Sequence, residues 1–241
     1  VALSVEKFTE SYCGIDLVRL QGGTFQMGDT LGGGIDNEQP VHTVTVDDFY
    51  IARTPVTQAQ WTRLMSDNPS RFQGQDHPVE QVTWQDALNF ARLLNDAYHG
   101  RYRFDLPTEA QWEFAARSGG KDELYAGGGV VDRLAWYADN SGGQTQPIGR
   151  KEPNGLGLFD MSGNVWEWCR DAFLADAYQR HARTNPLIEE KITERVIRGG
   201  SWNLDAWSAR CARRVGFQAD FLGPGLGFRL VMHPAQVPTS V

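Results

Sequence analysis

The sequence predicts an α+β fold of an irregular kind, loop-rich, with few helices and short antiparallel strands. Three observations carry this. The chain holds 26 glycines, 11 prolines and 8 tryptophans in 241 residues, a composition in which indole rings pin irregular backbone instead of lining a helical bundle. Helix-start signals are confined to the first half. Beyond about residue 120 the pattern is turns, short strands and aromatics.

Taken in order, Phe25-Gln-Met-Gly28 opens with strand character. Val41-His-Thr-Val-Thr-Val46 alternates and runs on into Phe49-Tyr-Ile51, which together read as a strand. Between them Gly32-Gly-Gly-Ile-Asp-Asn-Glu38 reads as a flexible connector. No helix start follows it and no Lys-Ser/Thr completes a phosphate loop. Thr57-Gln-Ala-Gln60 fits a capping box ahead of a stripe of Trp61, Leu64 and Met65. Thr83 caps a longer helix carrying Trp84, Ala87, Leu88, Ala91 and Leu94, ended by His99-Gly100. Pro107-Thr108-Glu-Ala-Gln111 is a further capping box, followed by Trp112, Phe114, Ala115 and Ala116 and stopped by Gly119-Gly120.

No linker or internal repeat divides the chain, so residues 1–241 read as one domain. A net charge of −7 argues against nucleic acid and anionic membrane as partners. No stretch approaches the ~20 apolar residues of a membrane span. The start, Val1-Ala-Leu-Ser-Val-Glu-Lys7, has neither an initiator Met nor a signal pattern, and the chain reads as trimmed. Compartment is left open. Cys13, Cys169 and Cys211 form no CxxC and read mostly as buried small hydrophobes, with one disulfide an alternative.

The most informative stretch is Arg198-Gly-Gly-Ser-Trp-Asn203, closed 24 residues later by Gly227-Phe-Arg-Leu230. Recognisable bookends enclose an interior with few converging acids, bases or thiols. That pattern points to a fixed frame displaying a changeable surface.

Together with Gly22-Gly-Thr-Phe-Gln-Met-Gly28, Pro55-Val-Thr57, Leu106-Pro-Thr-Glu-Ala-Gln-Trp-Glu113, Asn154-Gly-Leu-Gly-Leu158 and Gly163-Asn-Val-Trp-Glu-Trp168, these bookends resemble the formylglycine-generating-enzyme (sulfatase-modifying factor) family. The resemblance runs over roughly residues 18 to 232, in the family's order, and implies a variant of the C-type lectin fold. It does not by itself imply the chemistry. Family members that make formylglycine use a copper-binding cysteine pair. Here those positions fall at Leu204 and within Asp205–Ala209, so no copper is expected. Other branches use histidine-held iron, but His42, His77, His99, His181 and His233 are scattered in sequence.

The resemblance also implies a structural calcium, held by the carboxylates of Asp160 and Glu167 and the carbonyls of Gly163 and Val165. Such a hard cation wants 6–8 oxygens. The bland alternative pairs Glu167 with an arginine while Asp160 caps a turn. A second calcium loop is poorly kept: Asn140 and Ser141 match its start, but Gly149 stands where the family supplies an Asp.

The closing segment resembles that of one subgroup, the variable proteins of diversity-generating retroelements. Rewriting the adenines of an AAC codon yields the residue types found at 204, 205, 208, 213, 215–217 and 221–224. A display segment at 203–226 is expected. It would contact a protein or other macromolecular ligand through Leu204, Asp205, Trp207, Ser208, Arg213, Val215, Gly216, Phe217, Gln218, Phe221, Leu222, Gly223 and Pro224. Trp207 and Phe221 are expected to be exposed, while Arg210, Arg214 and Arg229 bind internal carboxylates or carbonyls. The alternative is an oxidoreductase of the same family working without the cysteine pair.

Overall fold

The computed structural model describes residues 6–234; the readings made on residues 1–5 and 235–241 lie outside the described residues. The elements, in chain order, begin with β1 (Lys7–Thr9), β2 (Asp16–Leu20), β3 (Gly23–Met27), β4 (His42–Val46) and β5 (Phe49–Ala52). Then come α1 (Gln58–Trp61), α2 (Trp84–Ala97), β6 (Tyr102–Asp105), α3 (Glu109–Ala116) and α4 (Val131–Leu134). The second half holds β7 (Trp166–Ala172), α5 (Ala177–Arg180), β8 (Glu194–Arg198), β9 (Arg214–Gln218), β10 (Leu226–Gly227) and β11 (Val231–Pro234).

Both expected capping boxes form, Thr57 with Gln60 and Thr108 with Gln111, and the expected Thr83 cap is completed as a box by Asp86. Each threonine oxygen accepts from an amide that the helix itself leaves unpaired. α2 buries Trp84, Ala87, Phe90, Ala91 and Leu94, the one-sided spacing of a surface helix. α1 is shorter than its Trp61–Met65 stripe predicts. It stops after a single turn, and the Trp61 indole N–H donates to the Asp67 carbonyl, folding the chain back.

The expected single strand over 41–51 is two strands in different sheets. β4 pairs with β3, whereas β5 pairs with β2 and β11. The break falls at Asp47-Asp48, where the Asp48 carboxylate accepts the Gly22 amide and turns the chain.

Strands β1-β2-β5-β11-β6 form an antiparallel sheet. A second sheet runs β10-β7-β8-β9 and includes one parallel pair, β10 with β7. Successive residues of a strand face opposite sides, and both sides of this second sheet are buried. Ile197 packs in a cluster with Trp84, Phe90, Trp166, Trp168 and Phe228 on the α2 side. Val196 packs with Phe25, Phe49, Trp112 and Phe114 on the α3 side. The sheet that carries the closing segment is therefore a middle layer, packed on both faces. No helix among the described residues is long and apolar enough to cross a membrane.

Candidate functional site

Four arginines of the closing segment are buried, and each finds a carboxylate from elsewhere in the chain. Arg210 grips Glu38 with both terminal nitrogens, at 2.9 and 3.0 Å. Arg214 grips Glu109 at 2.7 and 2.9 Å, and Arg229 grips Glu167 at 2.7 and 2.7 Å. Arg198 bonds to Glu109 at 3.1 Å and to Glu113. Burial alone would push the Glu109 carboxyl up, but Arg214 and Arg198 outweigh it and hold it down at about 2. Such forked pairs fix direction as well as position. The expectation that Arg210, Arg214 and Arg229 bind internal carboxylates holds for all three.

The segment's backbone is tied just as firmly. Ala138 donates its amide to the Leu204 carbonyl, Trp84 to Ala219, Gln81 to Gly223 and Trp166 to Gly225. The Trp202 indole N–H donates to the Pro224 carbonyl at 2.7 Å. These partners lie outside the interior of the segment or at its frame, so changing a side chain inside it leaves the ties in place.

The predicted ligand residues separate into groups. Leu204, Phe217, Phe221, Gly223 and Pro224 meet at one cleft of about 170 Å³, completed by Trp166, Ile197, Ser201, Asn203, Gly225 and Leu226. The Phe217 and Phe221 rings lie 4.6 Å apart between centroids. Phe221 is 41% exposed and Leu222 56%. Val215 is half-buried against the α2-side core. Gly216 points to the opposite face, where any side chain would overlap the Phe173 ring, so it is held by packing. Gln218 is exposed beside Glu194.

Asp205, Trp207, Ser208 and Arg213 form a second group. Asp205 caps a short 3-10 turn, accepting from the Ser208 amide at 3.1 Å and hydroxyl at 2.8 Å. Trp207 corrects an expectation, since it is half-buried instead of exposed. Its indole N–H donates to the Gly33 carbonyl at 2.9 Å, and the Arg210 and Arg213 guanidinium carbons sit 4.4 and 4.6 Å from its ring centroid. The Gly32–Glu38 stretch, read as a flexible connector, is docked on the closing segment, through the Gly33 carbonyl to Trp207 and the Glu38 carboxylate to Arg210. Neither this loop nor the cleft wall of Trp166, Ile197 and Leu226 was marked as functional by the sequence. For the loop no local signal was available, because Glu38 is tied to Arg210, 172 positions away.

At the loop expected to bind calcium, Glu167 is paired with Arg229, as the alternative reading had it, and also accepts the Trp112 indole N–H at 2.7 Å. Asp160 uses Oδ2 to accept the Gly149 amide at 2.7 Å, while its Oδ1 is buried without a partner. Burial, only partly offset by the Gly149 bond and Arg229, raises the Asp160 carboxyl to about 6. One buried Asp160 oxygen is therefore unpaired, while both Glu167 oxygens are taken. At the second loop nothing comparable remains. The Asn140 amide is spent on Tyr137 and Ala135, and the Ser141 carbonyl accepts from Gln146.

Among the described residues no three of His, Cys, Asp or Glu are grouped to hold a metal ion. The three cysteines are unpaired and buried, as small hydrophobes are. Burial pushes the Cys211 thiol up to about 12. The histidines are less scattered in space than in sequence: His42 Nε2 and His181 Nδ1 meet at 3.0 Å. Burial lowers His181 to about 4, which leaves it neutral.

A sheet layer holds both ends of the segment and leaves its apolar tip in solvent, on the irregular α+β fold of the C-type-lectin-like kind that the resemblance implied. The sulfatase-modifying factor enzyme 1-like domain model matches residues 5–234, and the chain belongs to that family. It is 33% identical to the chaperone protein LppX of Paenibacillus barcinonensis, over 90% of this chain and 89% of that protein. It is 31% identical to the formylglycine-generating enzyme of Streptomyces coelicolor, over 88% and 87%. Among solved structures it resembles Treponema denticola variable protein 1 with a TM-score of 0.81 and 27% identity, over 96% of this chain and 99% of that one.

Proposed function

We propose that this chain is a non-catalytic recognition protein, presenting side chains of residues 204–224 to a protein or other macromolecular ligand. The observation that carries this is the contrast within one segment. Its backbone is held at Leu204, Ala219, Gly223 and Gly225 by the scaffold, while Phe221 and Leu222 stand in solvent. Exposed apolar side chains on a fixed backbone lose little conformational freedom on binding, and aromatic anchors dominate interface energies. The likeness to a variable protein supports the same reading, as does the absence of thiols at 204–209. Diversification of the segment by adenine rewriting belongs to this proposal.

The test is selection of binders to the whole chain from a random displayed protein library. Binders should lose at least about tenfold in affinity, roughly 1.4 kcal/mol, against Phe221→Ala/Leu222→Ala, and nothing against Val130→Ala, an exposed control elsewhere. Binders indifferent to the first pair would overturn the proposal.

We further propose a structural calcium at Asp160. Asp160 would supply its free carboxylate oxygen and Gly163 and Val165 their carbonyls, while Glu167, whose two oxygens already accept from Arg229, would share one of them with the ion. The unpartnered Asp160 Oδ1 supports it. In the fold Asp160 titrates near 6, against an ordinary value of 3.8. Without the ion, this carboxyl costs stability increasingly as pH rises from 3.8 through 6. With the ion the sign reverses locally, because protons compete with calcium. Calcium should raise Tm at pH 7.5, and the increment should shrink at pH 5.5. An Asp160→Asn chain should show no calcium increment at either pH. An unchanged Tm with millimolar calcium in the wild-type chain would remove the ion.

A further inference from the structure

We infer that the cleft beside β9 and β10 is a socket for one aromatic side chain of a protein ligand, flanked in that ligand by basic residues. This rests on the recognition reading and names the chemistry of the partner.

Size comes first. At about 170 Å³ the cleft is below the ~300–1,000 Å³ of pockets that enclose whole small molecules. It is close to the ~150 Å³ of an apolar cavity that takes up benzene. A single ring fits, and a drug-sized ligand does not.

The lining agrees. Trp166, Ile197, Leu204, Phe217, Phe221 and Leu226 make its walls, so a ring entering it meets three other rings in addition to aliphatic side chains. Two of the polar groups beside it are already occupied. The Ser201 hydroxyl donates to the Asn203 side-chain oxygen at 2.6 Å, and the Trp202 N–H is spent on Pro224. No titratable side chain lines the cleft. A charged or strongly polar group placed there would lose its water without replacement.

Charge gives the flanks. Of the five charged residues between 203 and 226, Arg210 and Arg214 are buried on carboxylates, and Arg213 lies half-buried against Trp207 and Glu38. Asp205 and Asp220 are the exposed ones. The exposed charge that the segment itself carries is thus negative, on a chain of net charge −7, and Arg195, opposite Phe217 in the sheet, is laid over the Trp84 ring. Complementary basic residues beside the inserted ring would speed encounter and fix register.

The test uses three blocked tripeptides on the full chain: Lys-Phe-Lys, Glu-Phe-Glu and Lys-Ala-Lys. The readout is the methyl NMR signals of Ile197, Leu204 and Leu226. Lys-Phe-Lys should shift all three saturably, with a millimolar Kd of about 4 kcal/mol. Glu-Phe-Glu should bind at least about threefold more weakly at low salt, a difference that fades as salt screens it. Lys-Ala-Lys should leave the methyls in place. Leu204→Trp, which fills the cleft, should abolish the Lys-Phe-Lys response. Phe221→Ala, an exposed wall whose loss leaves the core intact, should weaken it several-fold.

Unmoved methyls at saturating peptide, or full binding to a folded Leu204→Trp chain, would overturn the socket. Equal binding of the acidic and basic peptides would overturn the basic flank. If the tripeptides fail while library-selected binders still need Phe221 and Leu222, the recognition face stands and the socket alone falls.

Discussion

Trp207 and Phe221 are both large apolar residues in the same irregular segment, and the sequence treats them alike. The fold does not. Phe221 is 41% exposed at the rim of the cleft. Trp207 is clamped between the segment's own arginines and the Gly33 carbonyl, 174 positions away in the chain. The segment is therefore two regions of different character. Its first part, around Asp205–Arg213, is stitched onto the loop at 29–38. Its second part, from Val215 to Pro224, presents side chains over an open cleft. On the proposed function, variation would cost stability in the first and alter recognition in the second.

The sharpest way to break this comparison is to cut the frame beneath both regions. Arg214 and Glu109 are buried and paired at 2.7 Å, so removing the arginine takes away the forked partner of a buried carboxylate and leaves it a single contact with Arg198. Arg214→Ala should cost about 3–5 kcal/mol of unfolding free energy. Measured by urea denaturation, it should lower the midpoint without a large change in slope. A loss under about 1 kcal/mol would mean the frame is held by something other than these pairs.

How much of this was readable beforehand depended on how local the cause was. The capping boxes at Thr57, Thr83 and Thr108 formed because donor and acceptor sit three residues apart. The need of Arg210, Arg214 and Arg229 for internal acceptors was readable too, since a guanidinium set among apolar residues must be paired. Which acids they take was not: Glu38, Glu109 and Glu167 lie 172, 105 and 62 positions away. The same limit hid the break between β4 and β5, where Asp48 answers to Gly22. It also hid the fate of Trp207. At Gly216 the residue type fitted a variable position, and only the Phe173 ring packed against it marks it as constrained.

The finer separation is within the segment itself. Trp207→Ala removes one hydrogen bond and two guanidinium stackings, and should cost about 2 kcal/mol by the usual worth of such contacts. Phe221→Ala with Leu222→Ala removes side chains that face water and should change stability by no more than about 0.5 kcal/mol. Both variants can be compared by thermal melts in one buffer. The ordering matters more than either value, because the two sites are similar in chemistry and differ in what the scaffold does with them. If Trp207→Ala proves as silent as the Phe221/Leu222 pair, the loop at 29–38 is no anchor, and the whole of 204–224 is a single free surface. If instead the Phe221/Leu222 change is costly, those residues close the cleft as part of the core, and the exposed tip on which recognition was argued does not exist.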